Sequence, residues 1–178
     1  MNYNKRMTKK PSATLVREFA QTLFMTLVVF IFLVTFVIQG YKVYGSCMEP
    51  NLATGERLLG NKFVYRFEQI HRGDIVVFKY PPNPQQTFVK RVVGLPGETV
   101  EIKNGKVLVN GHALDEGYVK LTPHGDFPRT KVQDGSTFVL GDNRDESNDS
   151  RFWGDVPLSN IQAKAWVRYW PLSRLQVF

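Results

Sequence analysis

The sequence predicts a mostly β domain behind a single N-terminal membrane-spanning helix. Three observations predict it. Residues 19–41 are 23 consecutive positions without a charged side chain. Beyond them, short β-branched runs alternate with turn residues. Between two of those runs stands Asn104-Gly105, a pair that tolerates positive φ at both positions and so suits a two-residue hairpin turn. The chain has 178 residues, 43% hydrophobic and 22% charged. That composition excludes wholesale disorder and a collagen-like repeat.

The elements follow in order. Residues 1–18 read as a basic cytoplasmic tail. Lys5, Arg6, Lys9, Lys10 and Arg17 stand there against Glu18, so this segment carries +4 of the net +7. Residues 19–41 read as a transmembrane anchor, rich in Phe24, Leu27, Val28, Phe30, Ile31 and Phe32. About 20 helical residues cross a hydrocarbon core of roughly 30 Å. A cleavable signal peptide would have a shorter apolar stretch and a small-x-small cleavage site. This run is longer, and Val37-Ile38-Gln39-Gly40-Tyr41 offers no Ala-x-Ala. A buried core helix would require the domain to cover it on all sides.

Positive charge before the run and a thinner bias after it place the N-terminus in the cytoplasm and residues 42–178 outside. The expected location is a single-pass protein of the plasma (inner) membrane, with the lipid bilayer as one partner. More than half of the charge excess lies in the tail, which argues against a nucleic-acid-binding face.

Residues 42–178 read as β. Gly73-Asp74-Ile75-Val76-Val77-Phe78 is a β-branched run behind a turn signal, and Thr87-Phe88-Val89-Lys90-Arg91-Val92-Val93 is another, closed by Gly94. Val100, Ile102, Val107 and Val109 flank the Asn104-Gly105 turn. Residues 136–140 and 163–170 read as further strands. About 135 residues are enough for one good core. The single cysteine, Cys47, cannot pair within the chain. His71, His112 and His124 are far apart and lack zinc-ligand spacing, so no structural metal site is expected.

Three islands carry chemistry. They are residues 45–52, residues 88–98 and residues 141–154. In an extended strand Phe88, Lys90 and Val92 share a face. A charged lysine on an apolar face is costly, and a neutral amine can act as a general base. A lysine reaching solvent at the strand edge fits the same pattern. Cys47 is either a nucleophile or an inert buried thiol. The third island, dense in Asp, Asn, Arg and Ser, is either a loop held by its own turns or a rigid platform that orients a catalytic group. Spacing alone leaves each of these pairs open.

In this order and behind an anchor, the islands resemble type I signal peptidase, the membrane-bound serine–lysine endopeptidase family that removes signal peptides. The similarity covers residues 43–170. Gly141-Asp142-Asn143-Arg144, Ser147 and Asp149-Ser150-Arg151 match the family's Gly-Asp-Asn-Arg-x-x-Ser-x-Asp-Ser-Arg pattern at every fixed position. Lys90-Arg91 followed by Gly94-Leu95-Pro96-Gly97 matches the general-base motif, and residues 73–78 match another family box. The resemblance implies an antiparallel β-sheet catalytic domain of the signal-peptidase type. It implies Lys90 as general base and Ser147 as the hydroxyl that positions the lysine amine. Asp149 and Arg151 become a structural brace, and no cofactor is implied. The substrates implied are preprotein signal peptides with small residues at the first and third positions before the cut.

One departure falls on the nucleophile. The family motif is Gly-x-Ser-Met-x-Pro-Thr-Leu, and here Cys47 stands in the serine's place. Asn51 replaces the threonine. Were the segment extended, Ser46 would face away from Lys90, which disfavours it as a substitute. The expected reaction is therefore peptide-bond cleavage by a Cys47–Lys90 dyad, with activity altered by the thiol. Some members of the family add a serine hydroxyl to the oxyanion site two residues before the nucleophile. Here that position is Gly45. The competing expectation is a catalytically impaired, membrane-anchored homologue that binds preproteins without cutting them. A sortase-like transpeptidase would need a histidine before the cysteine, and every histidine here follows it.

Overall fold

The computed structural model describes residues 13–119 and 125–178. Lys5, Arg6, Lys9 and Lys10 of the expected tail lie outside the described residues, as does His124. The chain divides into two compact units, one ending at Phe36 and one spanning Val37–Phe178.

In the first unit, helix α1 covers Ala13–Phe32 and continues as a π-helical turn over Leu33–Val37. Together they form a 25-residue segment, Ala13–Val37, long and apolar enough to cross a membrane. Two of its threonine hydroxyls are satisfied within the helix. Thr22 donates to the Glu18 carbonyl at 3.0 Å and Thr26 to the Thr22 carbonyl at 2.9 Å. Such back-bonding lets a hydroxyl sit in an apolar run without an outside partner.

The uncharged run 19–41 does not remain helical to its end. Ile38–Lys42 forms strand β1. Gly40 weakens the helix by about 1 kcal/mol relative to alanine. A neighbouring strand offers the backbone a full ladder instead, from Ile38 opposite Asn61 to Lys42 opposite Arg57.

In the second unit the described strands all pair antiparallel. After β1 come β2 (Arg57–Asn61), β3 (Ile75–Lys79), β4 (Thr87–Gly94), β5 (Thr99–Lys103) and β6 (Lys106–Val109). Then follow β7 (His112–Ala113), β8 (Phe127–Lys131), β9 (Ser136–Leu140), the short helix α2 (Ser150–Trp153) and β10 (Val156–Pro157). The last strands are β11 (Ile161–Trp170) and β12 (Gln176–Val177). The large sheet runs β1-β2-β11-β3-β4-β9-β10, with β12 added to β11. The small sheet runs β7-β6-β5-β8.

Local chemistry explains these elements. Asn104 and Gly105 have φ of 51° and 73°, as the β5–β6 turn requires. In β3 the residues alternate between two cores. Ile75 and Val77 join Met48, Leu52, Leu58 and Ala165 on one face, while Val76 and Phe78 join Val92, Val139 and Val156 on the other. Both faces are covered, so the strand reads as a continuous apolar run and not as an alternating one. A third cluster, with Val100, Ile102, Val107, Phe138 and Leu140, joins the small sheet to β9.

Candidate active site

Cys47 lies in a tight series of turns after β1. The Glu49 N–H donates to the Ser46 carbonyl at 3.0 Å and the Leu52 N–H to the Met48 carbonyl at 2.8 Å. The segment is therefore not extended, and the strand alternation that would point Ser46 and Cys47 apart does not apply. Both line the same cleft, of about 400 Å³. Met48 and Leu52 are fully buried and peg the turn into the core. The Cys47 thiol packs against that core and approaches the Val89 carbonyl at 4.0 Å.

Lys90 sits on β4, 3% exposed, on the face shared by Phe88 and Val92. Its Nζ lies 5.6 Å from the centre of the Phe88 ring, within cation–π range. Lys90 and Cys47 both line the cleft, beside the apolar walls Tyr41, Val43, Leu58, Val77 and Val89. Residues 87–90 pair with β3 only, since pairing with β9 begins at Arg91. One edge of β4 is thus free of a ladder where it meets the cleft.

Ser147 is buried, and its Oγ has no hydrogen-bond partner. Among the described residues no hydrogen bond joins Lys90 to Ser147 or to Cys47. Ser147 itself does not line the cleft, whereas its neighbours Glu146 and Asn148 do. Asp149 caps helix α2 and accepts from the Gly141 N–H at 3.0 Å. Arg151 pairs with it at 2.8 Å and also donates to the carbonyls of Arg144 and Ser147. This pair closes the 141–151 loop on itself.

Several residues of this site were not assigned roles in the sequence. Asn143 holds the turn that carries Cys47 twice, its N–H donating to the Cys47 carbonyl at 3.0 Å and its Nδ2 to the Ser46 carbonyl at 3.2 Å. Gly141 permits this approach. A Cβ there would lie 2.2 Å from the Ser147 Oγ and 2.5 Å from the Cys47 carbonyl oxygen. Asn51 bridges the Tyr118 carbonyl at 2.8 Å and the Asp142 carboxylate at 2.9 Å. Arg91 grips the same carboxylate with two parallel bonds of 2.8 and 2.7 Å. All but Asn51 lie in the motifs around Lys90 and Ser147, and the motif was their one sequence signal. Among the described residues no group of three or more His, Cys, Asp and Glu side chains is placed to hold a metal ion.

Two phenols near the site are perturbed. Burial raises the Tyr41 hydroxyl above its ordinary range, and that oxygen has no partner. Burial, and then the Glu116 carboxylate, raise Tyr118, which donates to Glu116 at 2.8 Å. Glu116 in turn pairs with the fully buried Arg144.

Residues 16–170 match the family described as signal peptidase, peptidase S26. Signal peptidase I of Leptolyngbya laminosa is 41% identical over 165 residues, covering 89% of this chain and 81% of that protein. Signal peptidase I of Bacillus caldolyticus is 41% identical over 155 residues, covering 78% of this chain and 83% of that one. A solved signal peptidase I from Enterococcus faecalis is 32% identical, with a TM-score of 0.48 over 55% of this chain and 97% of that structure.

Proposed function

The chain belongs to the signal peptidase family, peptidase S26, and from that premise we propose that it is a signal peptidase I-type endopeptidase using Cys47 as nucleophile and Lys90 as base. The substrates are exported preproteins, cut after small residues at the first and third positions before the bond. The apolar helix ending at Val37 begins in the cytoplasm and anchors the chain once in the cell membrane, and the β domain that follows acts outside it.

The observation that carries this reading is the shared cleft. A thiol and a buried amine line one apolar groove beside a strand edge that has no ladder partner. An extended peptide can add to such an edge, with its alternate side chains in the groove. In the reaction, the Cys47 sulfur bonds to the carbonyl carbon of the scissile peptide. Its proton passes to the Lys90 amine and then to the leaving nitrogen as the C–N bond breaks. Water, deprotonated by the same amine, hydrolyses the thioester. The Cys47 backbone N–H is the donor for the developing oxyanion. Asp149 and Arg151 brace the loop that carries Ser147.

The test is cleavage, in detergent, of a preprotein with alanine at both key positions, by the chain, Cys47→Ser and Lys90→Ala. Cleavage at the expected bond by the chain, abolished in Lys90→Ala and by thiol alkylation, supports the dyad. Cleavage by Cys47→Ser alone shows a signal peptidase groove disabled by sulfur. Silence from folded forms of both supports a preprotein-binding homologue instead.

A further inference from the structure

Residues 171–178 lie beyond the segment matched by the family, yet they return to the nucleophile turn. After β11 the chain bends at Pro171 and runs back as β12 beside Val167 and Arg168. Phe178, like Cys47, packs against the cluster that contains Met48 and Leu52. Arg174 donates from Nη2 to the Pro50 carbonyl at 2.7 Å and pairs through Nη1 with Glu56 at 2.5 Å. Arg168 donates to the Asn51 carbonyl, pairs with Glu56 at 3.1 Å, and holds the Arg174 carbonyl at 2.6 Å. Glu56 is 4% exposed and accepts the Ala53 N–H at 3.1 Å.

We infer that Arg174, with Arg168 and Glu56, is a positioning residue for the nucleophile. The inference rests on the reading of Cys47 as that nucleophile. Asn143 grips the carbonyls of residues 46 and 47 from the loop side, and the two arginines grip those of residues 50 and 51 from behind. The turn is therefore clamped at both ends, with Cys47 at the end that Asn143 holds and the arginines fixing the other end three to four residues on. A carbonyl held by a charged donor makes a stronger bond than one held by a neutral donor. Arg174 is the informative member, because its side chain is 39% exposed. Its loss leaves Glu56 paired with the buried Arg168 and creates no orphaned charge.

The experiment compares the full chain with Arg174→Ala and Arg174→Lys. The readouts are cleavage kinetics, melting temperature and the rate of alkylation by iodoacetamide, which reports on Cys47 alone because the chain has one cysteine. Misplacement of a reacting group by about 1 Å costs roughly 10²-fold. Release of one of the two grips is expected to lower kcat about tenfold in Arg174→Ala, with KM within twofold. Alkylation is expected to rise at least threefold as the half-buried thiol is freed. Arg174→Lys keeps the charge beside Glu56 but cannot span both partners, and should fall between. A lower melting temperature with unchanged kcat and alkylation overturns the inference and leaves Arg174 a purely structural residue. If Arg174→Ala does not fold, Arg174→Lys decides by the same criteria. If the parent chain cuts no preprotein, the proposed function fails. Alkylation then decides alone: faster labelling upholds the clamp, and unchanged labelling overturns it.

Discussion

Substituting Gly141 by alanine adds one methyl group, and the structure says where it must go. The new Cβ would stand 2.2 Å from the Ser147 Oγ, 2.5 Å from the Ser147 Cβ and 2.5 Å from the Cys47 carbonyl oxygen. Ordinary van der Waals contact begins at about 3.4 Å, so relief requires shifts of about 1 Å. Gly141 has no positive φ, so the effect is steric and not conformational. None of the three contacts yields easily. The Cys47 carbonyl is tied to the Asn143 N–H at 3.0 Å, the Gly141 N–H to Asp149 at 3.0 Å, and Ser147 is buried. Overpacking of this kind costs about 1–3 kcal/mol. A nucleophile displaced by about 1 Å loses roughly 10²-fold in rate. Gly141→Ala should therefore fold with a lowered melting temperature and lose about 10²-fold in kcat/KM on a preprotein substrate. The assay is steady-state cleavage at a temperature well below the variant's melting point. A folded variant with kcat/KM within threefold of the parent would refute the reasoning, because the methyl would then have been accommodated without moving Cys47.

Three further outcomes follow from the same contacts. Asn143→Ala removes the 3.2 Å bond to Ser46 and keeps the backbone bond to Cys47; it should cost about 0.5–1.5 kcal/mol by denaturant unfolding, and less activity than Gly141→Ala. Asp142→Ala leaves Arg91, whose side chain is 12% exposed, without its carboxylate, and should destabilise the domain by about 3–5 kcal/mol in the same measurement. At Glu98, partial burial pulls the carboxyl upward, but the bonds from Arg72 and from the Leu95 N–H outweigh it and hold it below the usual carboxylate range. A depressed folded-state value means stability present above the unfolded value, about 4.3, and lost as pH falls through the folded one. Glu98→Gln should therefore flatten the acid side of a melting-temperature-against-pH curve while leaving its shape above pH ~6 unchanged.

Much of the fold was legible because its strands advertise themselves locally. Residues 136–140 coincide with β9, and the Asn104-Gly105 turn sits between β5 and β6. The elements not legible are those whose reason is a distant partner. β2 (Arg57–Asn61) contains Gly60 and little β-branching, and it exists because β1 and β11 flank it. β12 is two residues laid against β11. The end of the helix left a local trace in Gln39-Gly40-Tyr41, but that residues 38–42 become a strand while residues 33–37 stay helical depends on the distant β2.

The site divides along the same line. The sequence by itself determined which chemical groups are available: one thiol, a lysine in an apolar strand, and a polar loop patterned like the signal peptidase motif. It determined the family as well, because motif residues recur at fixed spacing whatever the coordinates. Only the tertiary structure decided that Cys47 sits in turns and not in a strand, so that Ser46 shares its cleft. Only it decided that Asn143 from one side and Arg168 and Arg174 from the other hold the same six-residue turn. The physical reason is range. Alternation and turn preference act over two to four residues and can be read along the chain. A hydrogen bond between residues 174 and 50 depends on the whole sheet that brings them together.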